Sequence, residues 1–175
     1  MNDDTRPAST LDPKGEFPVD LTTYVFHLFT VAARHREARL DLALKPVGLS
    51  VPRHRALSSI ERLQPCTMRE LAAFMAVDRT TLTRTLDQLA DAGLVERATP
   101  REDRRQVVLT LTAAGKALCR RSLQAVYRVN RELLEGMEEA QQRALARGLD
   151  RLVARLAPDP DLLKRLRLSE PGSEG

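Results

Sequence analysis

Tryptophan is absent from this chain, and only two tyrosines and four phenylalanines occur among its 175 residues. With so little aromatic surface, a core has to be assembled from Leu, Val and Ala, as in many helical proteins. Cysteine is scarce as well. Cys66 and Cys119 lie far apart and match neither a metal-ligand nor a redox spacing, so they read as buried or incidental thiols. Three scattered histidines (27, 35 and 54) do not supply the clustered ligands that zinc requires. The sequence carries no nucleophile–base pair, metal set or glycine-rich phosphate cradle, so neither an enzyme nor a metal or cofactor is expected. Long apolar runs are missing too. The opening "MNDDTRPASTLDPKGEFP" has no apolar core for a signal peptide, and no later segment approaches a membrane span. The expectation is a cytoplasmic protein without a membrane partner.

Hydrophobic residues make up 42% and charged residues 30%, the profile of a globular chain of one domain with extra helices. The net charge of +4 permits nucleic-acid binding without demonstrating it. The first ordered segment should begin near Val19. Leu21, Val25, Leu28 and Ala32 follow one helix face, and Phe26, Phe29 and Val31 widen it, so the helix needs cover on more than one side. Two prolines and a glycine in "KPVGLSVPRH" break the pattern, after which Ser50 can cap a helix through "VPRHRALSSIERL". Thr67 and Glu70 stand at capping-box spacing before the short helix "MRELAAFM". Asp78 then caps a helix that closes at Gly93. "QVVLTLT" alternates with Val107, Leu109 and Leu111 on one face, which predicts a hairpin around the polar loop "TPREDRR". Thr112 can cap a long helix, and a further helix follows in "EEAQQRALARGLDRLVARL", with Pro158 and Pro160 interrupting it.

This order predicts a mainly α fold with a small β-hairpin wing: a winged helix-turn-helix flanked by helices. Within it, "VDRTTLTRTLDQL" concentrates Thr80, Thr81, Thr83 and Thr85 in a helix, although branching at Cβ makes threonine a mediocre helix former. At about 100° per residue, Leu86, Leu89 and Gly93 fall within roughly 40° of Leu82 and form the buried stripe. Thr80 and Arg84 point away from it, flanked by Thr81 and Thr83. In a recognition helix, such hydroxyls can reach phosphates or bases, and Arg84 can fork onto guanine O6 and N7. Alone, this helix fits a solvated surface helix equally well.

The run "TMRELAAFMAVDRTTLTRTLDQLADAGLVERATPREDRRQVVLTLTAAGKAL" resembles the core of the MarR family of transcriptional regulators over residues 67–118. The resemblance rests on the short helix, the helix-to-strand run "VDRTTLTRTLDQLADAGLVER", the "DRR" wing and "LTAAG" opening the long helix. It implies a homodimer that binds double-stranded DNA, with N- and C-terminal helices interleaved for dimerisation. The corresponding division is a tail over 1–18, a dimerisation helix and loop over 19–50, the winged helix-turn-helix over 51–112, C-terminal dimerisation helices over 113–168 and a tail over 169–175. The resemblance also implies that Arg105 enters the minor groove, with Asp103 shaping the wing and Arg101 and Arg104 beside phosphates. Thr67 and Arg79 complete the DNA-contact set with Thr80, Thr81, Thr83 and Arg84. Ala76 departs from the pattern, because such turns often hold glycine. If φ is positive there, alanine costs on the order of 1 kcal/mol.

Charge tempers this reading. From Cys66 to Arg105, seven arginines face seven acids, so binding depends on where the arginines point. Lys116, Arg120, Arg121, Arg128 and Arg131 follow without an intervening acid, as a phosphate-facing run or a solvated face. Family members commonly hold a small-molecule pocket between dimerisation helices and winged module, and repression is their commoner mode. His27 and Arg34 share a helix face with Tyr24 nearby, which suits a small aromatic acid or related effector; cross-dimer bonding by His27 and solvation of Arg34 is the alternative. Cys66 precedes a helix start, where a thiolate can be stabilised, so redox sensing is a rival. Outside the family, a non-catalytic winged-helix module used for architecture or protein docking stays open.

Overall fold

The computed structural model describes residues 20–99 and 106–156, together with Asp161 and Lys164. Its elements are α1 (Leu21–Leu44), α2 (Val51–Leu63), β1 (Cys66–Thr67), α3 (Met68–Met75), α4 (Arg79–Asp91), β2 (Val95–Ala98), β3 (Val108–Leu111), α5 (Ala113–Leu133) and α6 (Glu139–Leu156). A 3₁₀ turn at Lys45–Val47 separates the first two helices. The chain divides at Ala38 into two compact units.

In the first unit, α1 starts at Asp20, whose side chain accepts from the Thr23 N–H. Leu21, Tyr24, Val25, Phe26, Leu28, Phe29 and Val31 are all exposed. They spread over a broad arc, roughly 220° at about 100° per residue, and leave a polar strip with Thr23, His27, Thr30 and Arg34.

The second unit is built around α2. Its Leu57 and Ile60 are fully buried, with Leu71 of α3, Leu82, Leu86 and Leu89 of α4, and Leu109 of β3. Burying each such side chain contributes about 1.5–3 kcal/mol, enough to override the mediocre helix propensity of α4. Ser50 occupies the N-cap of α2 but makes no capping hydrogen bond from its side chain, contrary to expectation; Pro52 leaves one fewer N–H there to satisfy. The other caps form as expected. Thr67 and Glu70 close a full capping box, and Thr112 accepts from the Gly115 N–H.

Gly93 does not join the buried stripe. It lies just past the end of α4, exposed, at φ 67°, where left-handed backbone ends the helix: its N–H donates to Ala90 O and that of Leu94 to Leu89 O. The returning strand is stitched to this turn. Thr112 Oγ1 donates to Gly93 O at 2.8 Å, and a Cβ at Gly115 would stand 2.0 Å from Leu94 O. Glycine is needed there so that α5 can approach the backbone below the hairpin.

The sheet has three antiparallel strands in the order β1-β3-β2, one more than the hairpin anticipated. Cys66 pairs with Leu109, and Val95 with Leu111. Two residues are too few to show alternation, so β1 exists only through its pairing. Behind the sheet, Ser122 Oγ donates to Cys119 O at 2.8 Å and therefore accepts from His54 Nδ1 at 2.9 Å. Burial and the nearby Glu61 carboxylate push the Cys119 thiol up to about 11. Both cysteines are buried. A protonated, enclosed thiol is a poor nucleophile, which weighs against a sensing role for Cys119.

Candidate nucleic-acid interface

The link between α3 and α4 is a tight left-handed turn. Ala76 sits at φ 51° and ψ 42°, and its N–H donates to the carbonyls of Ala72 and Ala73. This places α4 across α3, with both helices resting on α2. Asp78 then caps α4, taking the Thr81 N–H at 2.8 Å and the Thr81 hydroxyl at 2.7 Å. The Thr81 hydroxyl, with its N–H, holds the Asp78 carboxyl below the usual carboxylate range.

Thr80 and Arg84, opposite the leucine stripe, and Thr81 and Thr83 on its flanks are exposed, while Thr85 is half-buried. Three of the four hydroxyls are engaged within the protein. Thr83 donates to Arg79 O at 2.7 Å and Thr85 to Thr81 O at 3.1 Å, alongside the Thr81–Asp78 bond. Thr80 makes no such bond among the described residues. Thr67 donates to Glu70 Oε2 and accepts the Glu70 N–H, so its hydroxyl belongs to the capping box. Arg84 makes no ion pair among the described residues.

Beside the start of α4 lies a groove of about 700 Å³, lined by Thr67, Met68, Arg69, Glu70, Arg79, Arg97, Gln106 and Val107. Three arginines thus converge where α3, α4 and the hairpin meet. Arg69 and Arg97 were not among the sequence candidates. Arg97 Nη2 lies 2.7 Å from Asp87 Oδ1, an ion pair joining β2 to α4. No local pattern marks that pair, because the strand must fold back first.

The wing candidates Arg101, Asp103, Arg104 and Arg105 fall outside the described residues. The strands on either side of them in the sequence are described, with Ala98 paired to Val108. Tyr24, His27 and Arg34 are all exposed on α1. Lys116, Arg120, Arg121, Arg128 and Arg131 are exposed on α5, away from its buried Cys119, Ser122 and Val126. Among the described residues, no cluster of His, Cys, Asp and Glu could hold a metal ion, and no helix is long and apolar enough to cross a membrane.

Comparison with known proteins gives consistent matches. The model of the MarR family fits residues 49–107. The HTH-type transcriptional repressors Rv2887 of Mycobacterium tuberculosis and Mb2911 of Mycobacterium bovis are each 32% identical over 113 residues, 65% of this chain and 81% of theirs. Among solved structures, a mutant of E. coli MarR complexed with operator DNA superposes with a TM-score of 0.68 at 28% identity, covering 77% of this chain and 99% of that one. A MarR-family regulator from Silicibacter pomeroyi gives 0.70 at 25% identity, covering 81% and 95%. CouR from Rhodococcus jostii RHA1, bound to p-coumaroyl-CoA, shares the fold with a TM-score of 0.68 at 20% identity, covering 77% and 95%.

Proposed function

Because the chain belongs to the MarR family, whose members are non-enzymatic DNA-binding transcription factors, we propose that it is a repressor that binds a pseudo-palindromic operator as a homodimer and responds to a small effector. The observation that carries the reading is the outer face of α4, where Thr80 and Arg84, which makes no ion pair among the described residues, stand opposite a buried leucine stripe. Arg69, Arg79 and Arg97 flank that face. Glu70 lines the same groove and Asp87 pairs Arg97, so in a module whose charges balance in sum these three arginines leave a small local positive excess where phosphates approach. Arg84 reads a base edge, and Arg101, Arg104 and Arg105 of the wing take phosphates and the minor groove, with Asp103 shaping it.

The dimer is supported by apolar side chains that stay exposed among the described residues. None of the 18 residues of α6 is buried, yet Leu145, Leu149, Val153 and Leu156 recur at helical spacing. That row on α6, and separately the broad apolar face of α1, are each larger than isolated exposed side chains explain. Residues 19–50 and 113–168 are therefore assigned to dimerisation. The effector is assigned as an aromatic carboxylate met by Tyr24, His27 and Arg34, because α1 presents a guanidinium and an imidazole on one face among aromatic side chains.

The decisive experiment is a gel shift on DNA upstream of the chain's own gene, against scrambled duplex at the same salt. Retention of the upstream fragment alone supports the repressor. Equal, weak and salt-sensitive retention of both selects an architectural role instead.

A further inference from the structure

A hydroxyl carries one proton and two lone pairs, so a proton already donated leaves only acceptor capacity. Thr81 has given its proton to the Asp78 carboxylate at 2.7 Å, a charge-assisted bond of the stronger class. Thr83 has given its proton to the Arg79 carbonyl at 2.7 Å. Both side chains are exposed on the flanks of α4, about 100° either side of Leu82. Thr80 makes no bond of this kind among the described residues and can still donate.

DNA offers these hydroxyls two kinds of partner. Phosphate oxygens, guanine O6 and N7, adenine N7 and thymine O4 are acceptors. In the major groove, only adenine N6 and cytosine N4 donate. The Asp78 carboxylate also fills the start of α4, so that terminus is already occupied by an anion of its own. Resting on the operator-binding reading above, we infer that Thr81 and Thr83 are specificity residues that accept from the exocyclic amino groups of adenine or cytosine, and that neither contacts phosphate. Phosphates and base acceptors are left to Thr80 and the arginines. The internal bonds thus divide α4 into a donor ridge, Thr80 and Arg84, with an acceptor on each flank.

The test uses the full-length protein and an operator selected by it from a randomised duplex pool. Each adenine of one half-site is replaced in turn by purine, and each cytosine by 2-pyrimidinone, which removes the amino group alone. At one position, wild-type affinity is expected to fall roughly 3- to 10-fold, the worth of one hydrogen bond. Thr83→Val keeps the shape and β-branching of an exposed side chain, so the helix is retained. It is expected to be indifferent to the analogue at that position, while Thr83→Ser keeps the discrimination. Thr81→Val, with its fold checked by circular dichroism, is expected to lose discrimination at a different position. If the analogues cost wild type and Thr83→Val equally, or if Thr83→Val weakens every sequence uniformly, the assignment is overturned. A wild-type protein that selects no sequence at all overturns the operator-binding reading itself.

Discussion

Several single residues carry more than their size suggests, and Gly115 is the clearest. Its missing Cβ is what lets α5 start against the Leu94 carbonyl, 2.0 Å from where that atom would sit. Backbone cannot swing aside as a side chain end can. Gly115→Ala is therefore expected to destabilise the protein at or above the upper end of the roughly 1–3 kcal/mol typical of overpacking, read by urea unfolding. Ala76 presents the reverse case. Its left-handed backbone disfavours any Cβ, so Ala76→Gly should raise stability by about 0.5 kcal/mol, once glycine's greater unfolded-state freedom offsets part of the relief. A lower midpoint for that variant would contradict the strain. Cys119 makes a pH prediction. Its thiol ionises at about 11 in the folded protein, above its ordinary value of 9.0. The stabilising contribution is thus complete below pH 9 and is lost as pH rises toward 11, because the unfolded chain ionises first. Wild-type stability should fall more steeply than that of Cys119→Ala between those values. Arg84 acts on binding rather than folding: Arg84→Ala is expected to weaken operator affinity by about 1–3 kcal/mol while leaving non-specific affinity nearly unchanged. Equal losses on both would make it a phosphate contact.

At the scale of elements, α4 and the hairpin have to act together. The Arg97–Asp87 pair ties β2 to the outer side of α4, although its partial exposure limits its worth to about 1 kcal/mol or less. The hairpin base is held more firmly by Thr112, which bonds Gly93 O on one side and caps α5 on the other. Arg101, Arg104 and Arg105 follow β2 in the sequence. Arg105→Ala is expected to weaken binding and to lower the slope of log affinity against log salt by about one unit. Asp103→Ala should reproduce part of the loss in affinity, and full affinity in that variant would remove Asp103 from any supporting role.

For the whole molecule, the proposed dimer rests on the exposed apolar side chains of α1 and α6. Leu149→Glu with Val153→Glu places two charges on the uncovered face of α6, where both residues are exposed in the single chain. The folded monomer should tolerate them, while the dimer should not. Sedimentation is expected to show half the wild-type mass, and operator binding should weaken with it. An unchanged mass would move the interface elsewhere. For the proposed dimer, two-fold symmetry demands half-site centres about 10 base pairs apart, and a one-sided footprint would be incompatible with it.

Much of this protein is written locally in its sequence. The capping residues Thr67, Asp78 and Thr112 each act on backbone within three positions, so their spacing alone announces where helices begin. The leucine stripe of α4 and the alternation in β3 depend only on helix and strand periods, and they separate buried from exposed faces before any packing is known. The outward pair Thr80 and Arg84, flanked by Thr81 and Thr83, followed from the same periodicity. Contacts between residues distant along the chain were not legible in this way. Strand β1 is only Cys66 and Thr67, and it becomes a strand because β3 passes beside it. Arg97 meets Asp87, and Arg69 joins it in one groove, only after the hairpin has folded back across α3 and α4. The threonine protons lie between the two cases. Their donors and acceptors are three or four residues apart, but whether a hydroxyl turns to its own helix or outward depends on its rotamer. Sequence determined which residues stand on each face, because periodicity is a property of the local backbone. The tertiary structure decided which of them meet, and which hydrogen-bonding groups are left to offer a partner, because both depend on positions that only the packed chain brings together.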